Sequence, residues 1–208
     1  MKSKILLTAI TAIILSGCVT NTVQEVSHTK GVQMGTLELY GISDDVTVYS
    51  KVNMHKKAQG SFNRFKHSAK GYYGAFAYSS SSTGAYAQST GHNTLKSARE
   101  YALNYCSQHL KSGDANCKIT AILTPKGYKN NGRGTLSKTA TTELKKLKTY
   151  AKYNAFATND VGHYYPVSGH KTQEVASSEA IRNCNVHAKA DTPKIQKYYP
   201  CYLVNIHQ

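Results

Sequence analysis

The sequence repeats itself, because the segment Gly91–Cys106 recurs 78 residues later as Gly169–Cys184. Without a gap, a Gly-His pair, a threonine, two alanines four residues apart and a final cysteine fall in register. The preceding segment recurs as well, since Tyr73–Ala77 matches Tyr153–Ala157 with an offset of 80. The matching residues are of types that a fold constrains: glycines, cysteines and alanines on one helical face. The match therefore indicates a duplicated structural unit.

The first copy has the pattern of two strands, a helix and a third strand. Tyr72–Tyr78 and Ala85–Ser89 are rich in strand-forming residues and flank a serine-rich turn. Thr94 is a good N-cap for a helix over Leu95–Leu110, and Cys117–Thr124 reads as the last strand. We therefore predict an α+β fold of two tandem ββαβ-like repeats, each with one helix packed on a small antiparallel sheet.

The second copy follows the same pattern with a longer final loop. The predicted strands are Tyr153–Thr158, the return strand His163–Val167 and the last strand Cys201–Ile206. The predicted helix runs from Gln173 to about His187 and is capped by Thr172, and the loop Ala188–Pro200 connects it to the last strand. Between the copies lies a lysine-rich segment in which Thr142–Tyr153 is a candidate basic helix.

Each copy contributes two cysteines, Cys106 with Cys117 and Cys184 with Cys201. In an exported protein an even set of cysteines favours disulfides, so we predict one internal bridge per repeat. The alternative is a Cys₂His₂ zinc site, because the Cys-x-x-His spacing places two ligands on one helical face. The histidines available for it are His109, His187, His92 and His170. The prediction includes no metal and no cofactor.

The first residues have the form of an export signal. The apolar run Ile5–Leu15 follows two lysines and is too short to span a bilayer, which takes about 20 residues. It ends in Leu-Ser-Gly-Cys, which resembles the lipobox of bacterial lipoproteins. The resemblance implies cleavage after Gly17, acylation of Cys18 and a stable membrane anchor. The residue after the cysteine is Val19, and not the aspartate that resembles an inner-membrane retention signal. The resemblance therefore implies an outer-membrane lipoprotein that faces the periplasm or the cell surface.

An N-terminal β segment precedes the repeats. Met34–Tyr40 and Val46–Val52 alternate with period two around a Gly/Asp turn, which predicts a hairpin. The predicted organisation is a signal peptide (1–17), a lipid anchor and tether (18–33), the β segment (34–70), repeat 1 (71–125), a basic linker (126–151) and repeat 2 (152–208).

The first repeat resembles a known family. Its motifs are Ala75–Ser79 on the first strand, Thr83–Tyr86 at the return strand, and the helix alanines with the cysteines, Ala98, Ala102, Cys106 and Cys117. These residues resemble the small exported bacterial domain numbered 4189 among domains of unknown function, and the second repeat resembles it too. Because that family has no established activity, the resemblance implies a fold and an exported location only.

The chain is strongly basic, with a formal net charge of +15. Such an excess favours acidic partners: an anionic envelope polymer, an acidic envelope or secretion-machine protein or, less favoured, nucleic acid. Two basic stretches with interleaved apolar residues are candidate contact surfaces, and the alternative is a solvated face. Their candidate residues are Lys56, Lys57, Arg64, Lys66, Lys145, Lys146 and Lys148.

The repeated Gly-His pairs are the remaining candidates for ligand contacts. His92 and His170 each precede the N-cap of a predicted helix by two residues, where backbone N–H groups attract anions. The alternative is a loop histidine packed over the helix start. No nucleophile, zinc-protease or phosphate-loop motif is present, so catalysis is not predicted.

These patterns predict a non-catalytic binding or assembly module on a lipid anchor. One alternative is a neutralising lipoprotein that blocks an exported toxin or hydrolase. A second is a hydrolase without a recognisable motif. The sequence leaves the ligand and the oligomeric state open.

Overall fold

The computed structural model describes residues Leu37–Glu38, Asp44–Val48, 52–67, 73–125, 134–150, 152–195 and 197–204. The predicted signal peptide, the lipidation site Cys18 and the tether lie outside the described residues. Of the helices in the described part of the chain, none combines the length and apolar character needed to cross a membrane.

The first repeat is built around a central strand, β3 (Tyr73–Tyr78). Strand β4 (Tyr86–His92) pairs with it on one side and β5 (Lys118–Pro125) on the other, both antiparallel. All six residues of β3 are buried, because helices cover both faces of the sheet. The three predicted strands of this repeat are confirmed.

Helix α2 (Leu95–Ser107) covers one face of this sheet. The predicted N-cap is confirmed, since the Thr94 hydroxyl accepts the backbone N–H of Ser97 at 3.1 Å. The buried side of the helix consists of small residues at a spacing of four, Ala98, Ala102 and Cys106. Small side chains on one face let the helix axis approach the sheet closely.

The second repeat has the same topology. Strand β7 (Tyr153–Thr158) lies between β8 (Tyr164–His170) and β9 (Tyr202–Val204), and α4 (Gln173–Ile195) covers one face. In both repeats the first strand is central, the return strand lies on one side and the last strand on the other. The predicted fold of two tandem ββαβ-like repeats is therefore confirmed.

Helix α4 is longer than predicted. The expected loop over Ala188–Pro200 is wrong in its first part, because the helix continues to Ile195. A buried stripe of small residues accounts for the helix as far as one turn past the cysteine: Ala176, Ala180, Cys184 and Ala188. Pro193 lies in the last turn, so the backbone hydrogen bond to Lys189 that it cannot make is one of the last of the helix.

A second helix covers the opposite face of each sheet. Helix α1 (Lys56–His67) precedes the first repeat and α3 (Lys138–Leu147) precedes the second. Their buried residues share one spacing, Ala58, Phe62 and Phe65 in α1 and Ala140, Leu144 and Leu147 in α3. These side chains pack on Phe76 and Phe156, which occupy equivalent positions of the central strands.

The duplicated unit is thus larger than the sequence comparison indicated and has the order α-β-β-α-β. The segment predicted as a basic linker contains α3, which begins four residues before the predicted start at Thr142. A stacked Phe–Tyr pair that occurs in both repeats also supports the larger unit. The Phe76 and Tyr86 rings stack at 6.0 Å between centroids, and the Phe156 and Tyr164 rings stack at 5.6 Å.

The predicted N-terminal hairpin is wrong in its pairing. Strand β1 (Leu37–Glu38) pairs in parallel with β6 (Gly134–Thr135), and β2 (Asp44–Val48) pairs antiparallel with β5. Two segments that alternate with period two predict strands but not partners. Here β5 offers β2 an edge with five paired positions, and pairing covers backbone groups that would otherwise be exposed at that edge.

Candidate functional site

The repeated Gly-His pair forms a bulge at the end of each return strand. Gly91 and Gly169 have φ angles of +83° and +78°, which favour glycine, and the strand register shifts at both places. In the first repeat Tyr73 pairs with His92 and Ala75 with Ser89, so the return strand holds one extra residue. The bulge directs the chain into the helix that follows, which explains why both copies keep the motif.

His92 is buried at the contact between the two repeats, with 4% of its surface exposed. Its Nδ1 lies 3.1 Å from Ser97 Oγ, and its ring meets Tyr101 edge-on at 5.3 Å between centroids. The Ser97 hydroxyl also lies within donating distance of two carbonyl oxygens, that of Asp160 at 2.7 Å and that of Thr94 at 3.0 Å. Burial, together with repulsion from His163, lowers the pKa of His92 to about 4.

His170, the equivalent residue, has different surroundings. Its Nε2 lies 3.6 Å from Glu179 Oε2 on α4, and the side chain is partly exposed. The fold therefore does not bring the two predicted histidines into one site. His92 faces the other repeat, whereas His170 contacts its own helix.

Backbone and amide groups join the two repeats around Asn93. Its side-chain Nδ2 donates to Thr158 Oγ1 at 2.9 Å and to the carbonyl oxygen of Asn159 at 2.7 Å. Its backbone N–H donates to the carbonyl oxygen of Asp160 at 2.9 Å. Gly162 packs so tightly on this loop that an added Cβ would overlap the carbonyl oxygen of Gly91. The repeats therefore pack through a hydrogen-bonded loop and turn.

A second contact between the repeats is charged. The Glu100 carboxylate on α2 is ion-paired with Lys197 and accepts the Tyr199 hydroxyl at 2.7 Å, both from the segment before β9. Burial would raise the pKa of Glu100, but the hydrogen bonds from Lys197 and Tyr199 outweigh it and lower that pKa. Burial and the Glu100 carboxylate raise the pKa of Tyr199, so its phenol stays protonated.

A cleft of about 290 Å³ lies between these contacts. The first repeat contributes residues of β4 and α2, and the second contributes the turn before β8, helix α4 and the segment before β9. The lining residues are Gln88, Ser89, Thr90, His92, Tyr101, Val161, His163, Ala188, Lys197 and Tyr199. The side chains are mixed in character, with two imidazoles, two phenols and several hydrogen-bonding groups.

The basic residues predicted on the first stretch lie on α1. Lys56, Lys57 and Arg64 are exposed, and the ammonium group of Lys66 lies 5.0 Å from the centre of the Phe62 ring. The helix has no acidic residue in its first turn. Its opposite side is buried in the core, so the basic side chains form the outer face of the helix.

The basic residues predicted on the second stretch lie at the end of α3. Lys145, Lys146 and Lys148 are exposed. The Lys146 ammonium group donates to Glu143 Oε1 at 2.8 Å, and this carboxylate raises the pKa of Lys146. Lysines in the last turn of a helix are favoured by the negative end of the helix dipole. Because α1 and α3 are equivalent helices, the two predicted basic stretches are equivalent surfaces.

The cysteines form the two predicted bridges. Cys106 is bonded to Cys117 and Cys184 to Cys201, each within its own repeat. These bonds use the thiolates that a Cys₂His₂ zinc site would need. Within the described ranges, moreover, no three His, Cys, Asp or Glu side chains converge as metal ligands.

Sequence reasoning missed most of the cleft. It singled out His92 but not Tyr101, Glu100, Lys197 or Tyr199, which approach one another only when the repeats pack. The comparison of the two copies contains a signal, since Tyr101 and Tyr105 correspond to Glu179 and Asn183 in the second copy. Of the equivalent residues Tyr101 and Glu179, Tyr101 is the one that lines the cleft.

Comparison with known proteins identifies one segment of the chain. Residues 73–151 match the model of the family described as Domain of unknown function (DUF4189). The match runs from β3 to just beyond the end of α3 and covers less than half of the chain. No match was found among curated proteins or among solved structures. Residues 73–151 are thus similar to the DUF4189 family, the resemblance that the cysteine and alanine pattern of this segment predicts.

Proposed function

We propose that this protein is an outer-membrane lipoprotein that binds an anionic envelope polymer through the exposed faces of α1 and α3, and that it is not an enzyme. The observation that carries the proposal is the duplicated basic helix. In each repeat one helix buries an apolar side in the core and turns lysines or arginine outward. Such faces attract polyanions such as the phosphate groups of lipopolysaccharide.

Duplication strengthens this reading. We infer that the second repeat is a further copy of the DUF4189 domain, because its topology, bulge, disulfide and stacked aromatic pair match those of the first. Two basic faces on one molecule bind a long polymer more tightly than either face alone, because the second contact is intramolecular. Acylation at Cys18 would hold both faces at the membrane, where such a polymer is concentrated.

The test measures binding to immobilised lipopolysaccharide by the disulfide-bonded full chain in detergent. We expect the affinity to fall more than tenfold between about 50 and about 200 mM salt, because the release of counterions on binding becomes less favourable as the salt concentration rises. The triple variants K56E/K57E/R64E and K145E/K146E/K148E should each weaken binding about tenfold or more, since each removes one of the two faces.

The matched control carries the charge change at three exposed lysines elsewhere, K96E/K118E/K189E. It should retain most of the affinity. Equal loss in the control would mean that net charge, and not the two helices, drives binding. Salt-insensitive capture of a single protein partner, with no affinity for the polymer, would contradict the proposal and favour the neutralising alternative.

A further inference from the structure

The cleft between the repeats has the dimensions of a small-molecule site. Its volume of about 290 Å³ is near the lower end of the range found for such sites. It also lies at the junction of two packed units, which is a common position for ligand sites. The basic faces of α1 and α3 contribute no residue to its lining.

The groups of the cleft favour a neutral ligand. Lys197, the lysine in its lining, is ion-paired with Glu100, whose carboxylate would repel an anion. His92 lines the cleft and is uncharged at neutral pH, so its imidazole has one donor nitrogen and one acceptor nitrogen. The phenol of Tyr199 and the side chains of Gln88 and Thr90 add hydroxyl and amide groups. A ligand with several hydroxyl groups matches this mixture of donors and acceptors.

An aromatic row leads out of the cleft along α2. From Tyr101 in the wall, ring centroids follow at 6.4 Å to Tyr105 and then at 5.3 Å to His109. Tyr105 is 39% exposed. The faces of aromatic rings are electron-rich and attract the weakly positive C–H groups of a sugar ring. The second repeat has Glu179 and Asn183 at the positions of Tyr101 and Tyr105, so this row belongs to the first repeat.

We propose that the cleft binds one ring of a neutral saccharide, held by His92, Tyr199 and Gln88, with the next sugar of the chain lying against Tyr105. The site is independent of the polyanion-binding faces. Its hydrogen bonds orient the ring in the cleft, and the aromatic row extends the contact to a second unit.

The test uses N-acetylglucosamine and its β1,4-linked disaccharide as probes for the full chain in detergent, at about 0.5 M salt, where exposed charges are screened. Saturation-transfer NMR should show contact between sugar protons and the protein, with a dissociation constant of about 1 mM for the single ring. The disaccharide should bind at least threefold more tightly. Inorganic phosphate, an anion that fits the same volume, should not compete.

Thr90 offers a variant that fills the cleft, because it lines the cleft and is exposed on the edge strand β4. We expect Thr90→Trp to weaken sugar binding at least tenfold. The matched control is Ser168→Trp, at the equivalent exposed position of β8, which should bind as the unchanged protein does. Tyr105→Ala should remove the advantage of the disaccharide only.

Three results would overturn the proposal. They are no binding of either sugar at about 50 mM, binding that Thr90→Trp leaves unchanged, or displacement of the sugar by phosphate. Failure of this site would leave salt-dependent polymer binding by α1 and α3 untouched, and the charge-reversal variants test that binding separately.

Discussion

The two repeats share a scaffold and differ where they meet. Both have a central first strand, a glycine bulge, a bridge from helix to last strand and a stacked Phe–Tyr pair. They diverge in the loop after the bulge. Asn93 is buried in the first repeat and bonded to the second, whereas the equivalent Lys171 is exposed. Duplication has thus preserved the residues that fold each half and changed the residues that face the partner.

The histidines illustrate the same difference. His92 and His170 end equivalent strands, but only His92 is enclosed by the other repeat. The helix positions that follow differ as well, with Tyr101 in the first repeat and Glu179 in the second. The cleft therefore depends on an asymmetric pairing of two similar units, and its properties cannot be assigned to either unit alone.

The largest expected effect comes from Gly162, where the repeats touch most closely. Gly162→Ala should lower the free energy of unfolding by about 4 kcal/mol, because overlap with the Gly91 carbonyl adds to left-handed backbone strain. The control is Gly169→Ala, which has similar strain but open space around its Cβ and should cost about 1 kcal/mol. Equilibrium denaturation of both variants measures the difference. Equal costs would show that the close approach at Gly162 contributes nothing.

Exchanging Asn93 and Lys171, the equivalent residues of the two repeats, should lower stability less than Gly162→Ala does. Only the exchange in the first repeat should have a large effect. Asn93→Lys places an ammonium group where a fully buried amide makes hydrogen bonds across the interface, at a cost of about 3 kcal/mol. The reverse exchange, Lys171→Asn, alters an exposed side chain and should change stability by less than about 0.5 kcal/mol. Chemical denaturation tests both. If the two exchanges were equally mild, the loop around Asn93 would not join the repeats as described.

The smallest expected effect is a pH dependence that His92 introduces. Its pKa falls from 6.5 to about 4 on folding, so between these values the unfolded chain binds a proton that the folded protein does not. Stability should therefore decrease by about 2 kcal/mol from pH 7 to pH 5.

The matched variants compare the two histidines directly. His92→Asn, whose amide can take the place of Nδ1 in the hydrogen bond with Ser97, should reduce the pH dependence, and His170→Asn should leave it unchanged. Denaturant midpoints at pH 5, 6 and 7 provide the measurement. The same slope in all three proteins would mean that His92 does not titrate as its burial implies.

The sequence was sufficient to predict the interior of each repeat. Alanines and cysteines at a spacing of four identify the covering helix, and the position of Cys117 and Cys201 at the start of a strand identifies the bridge. The helices on the other face were partly recoverable, because the spacing of Ala58, Phe62 and Phe65 recurs in α3 with leucines in place of phenylalanines. The sequence comparison of the two copies missed this match, because α1 and α3 share few identical residues.

Strand partners and the cleft were beyond sequence reasoning for a physical reason. Alternation with period two shows that β2 is a strand, but its pairing with β5 depends on which edge the folded sheet leaves open. Likewise Glu100 and Lys197 are far apart in the chain, and no local pattern links them. Contacts between packed units follow from the relative placement of the units, which local patterns in the sequence do not show.

The contact between the two repeats is heterologous, because a loop of the first repeat binds a turn of the second. When the same loop and turn are also free on the outer sides of the repeats, a heterologous contact can continue from molecule to molecule and form open filaments. At the far end the receiving loop has Lys171 and a half-exposed Val175 where Asn93 and Ser97 make the contact. Neither side chain can accept another turn in the same way. We therefore expect this surface not to support head-to-tail association between copies of the chain.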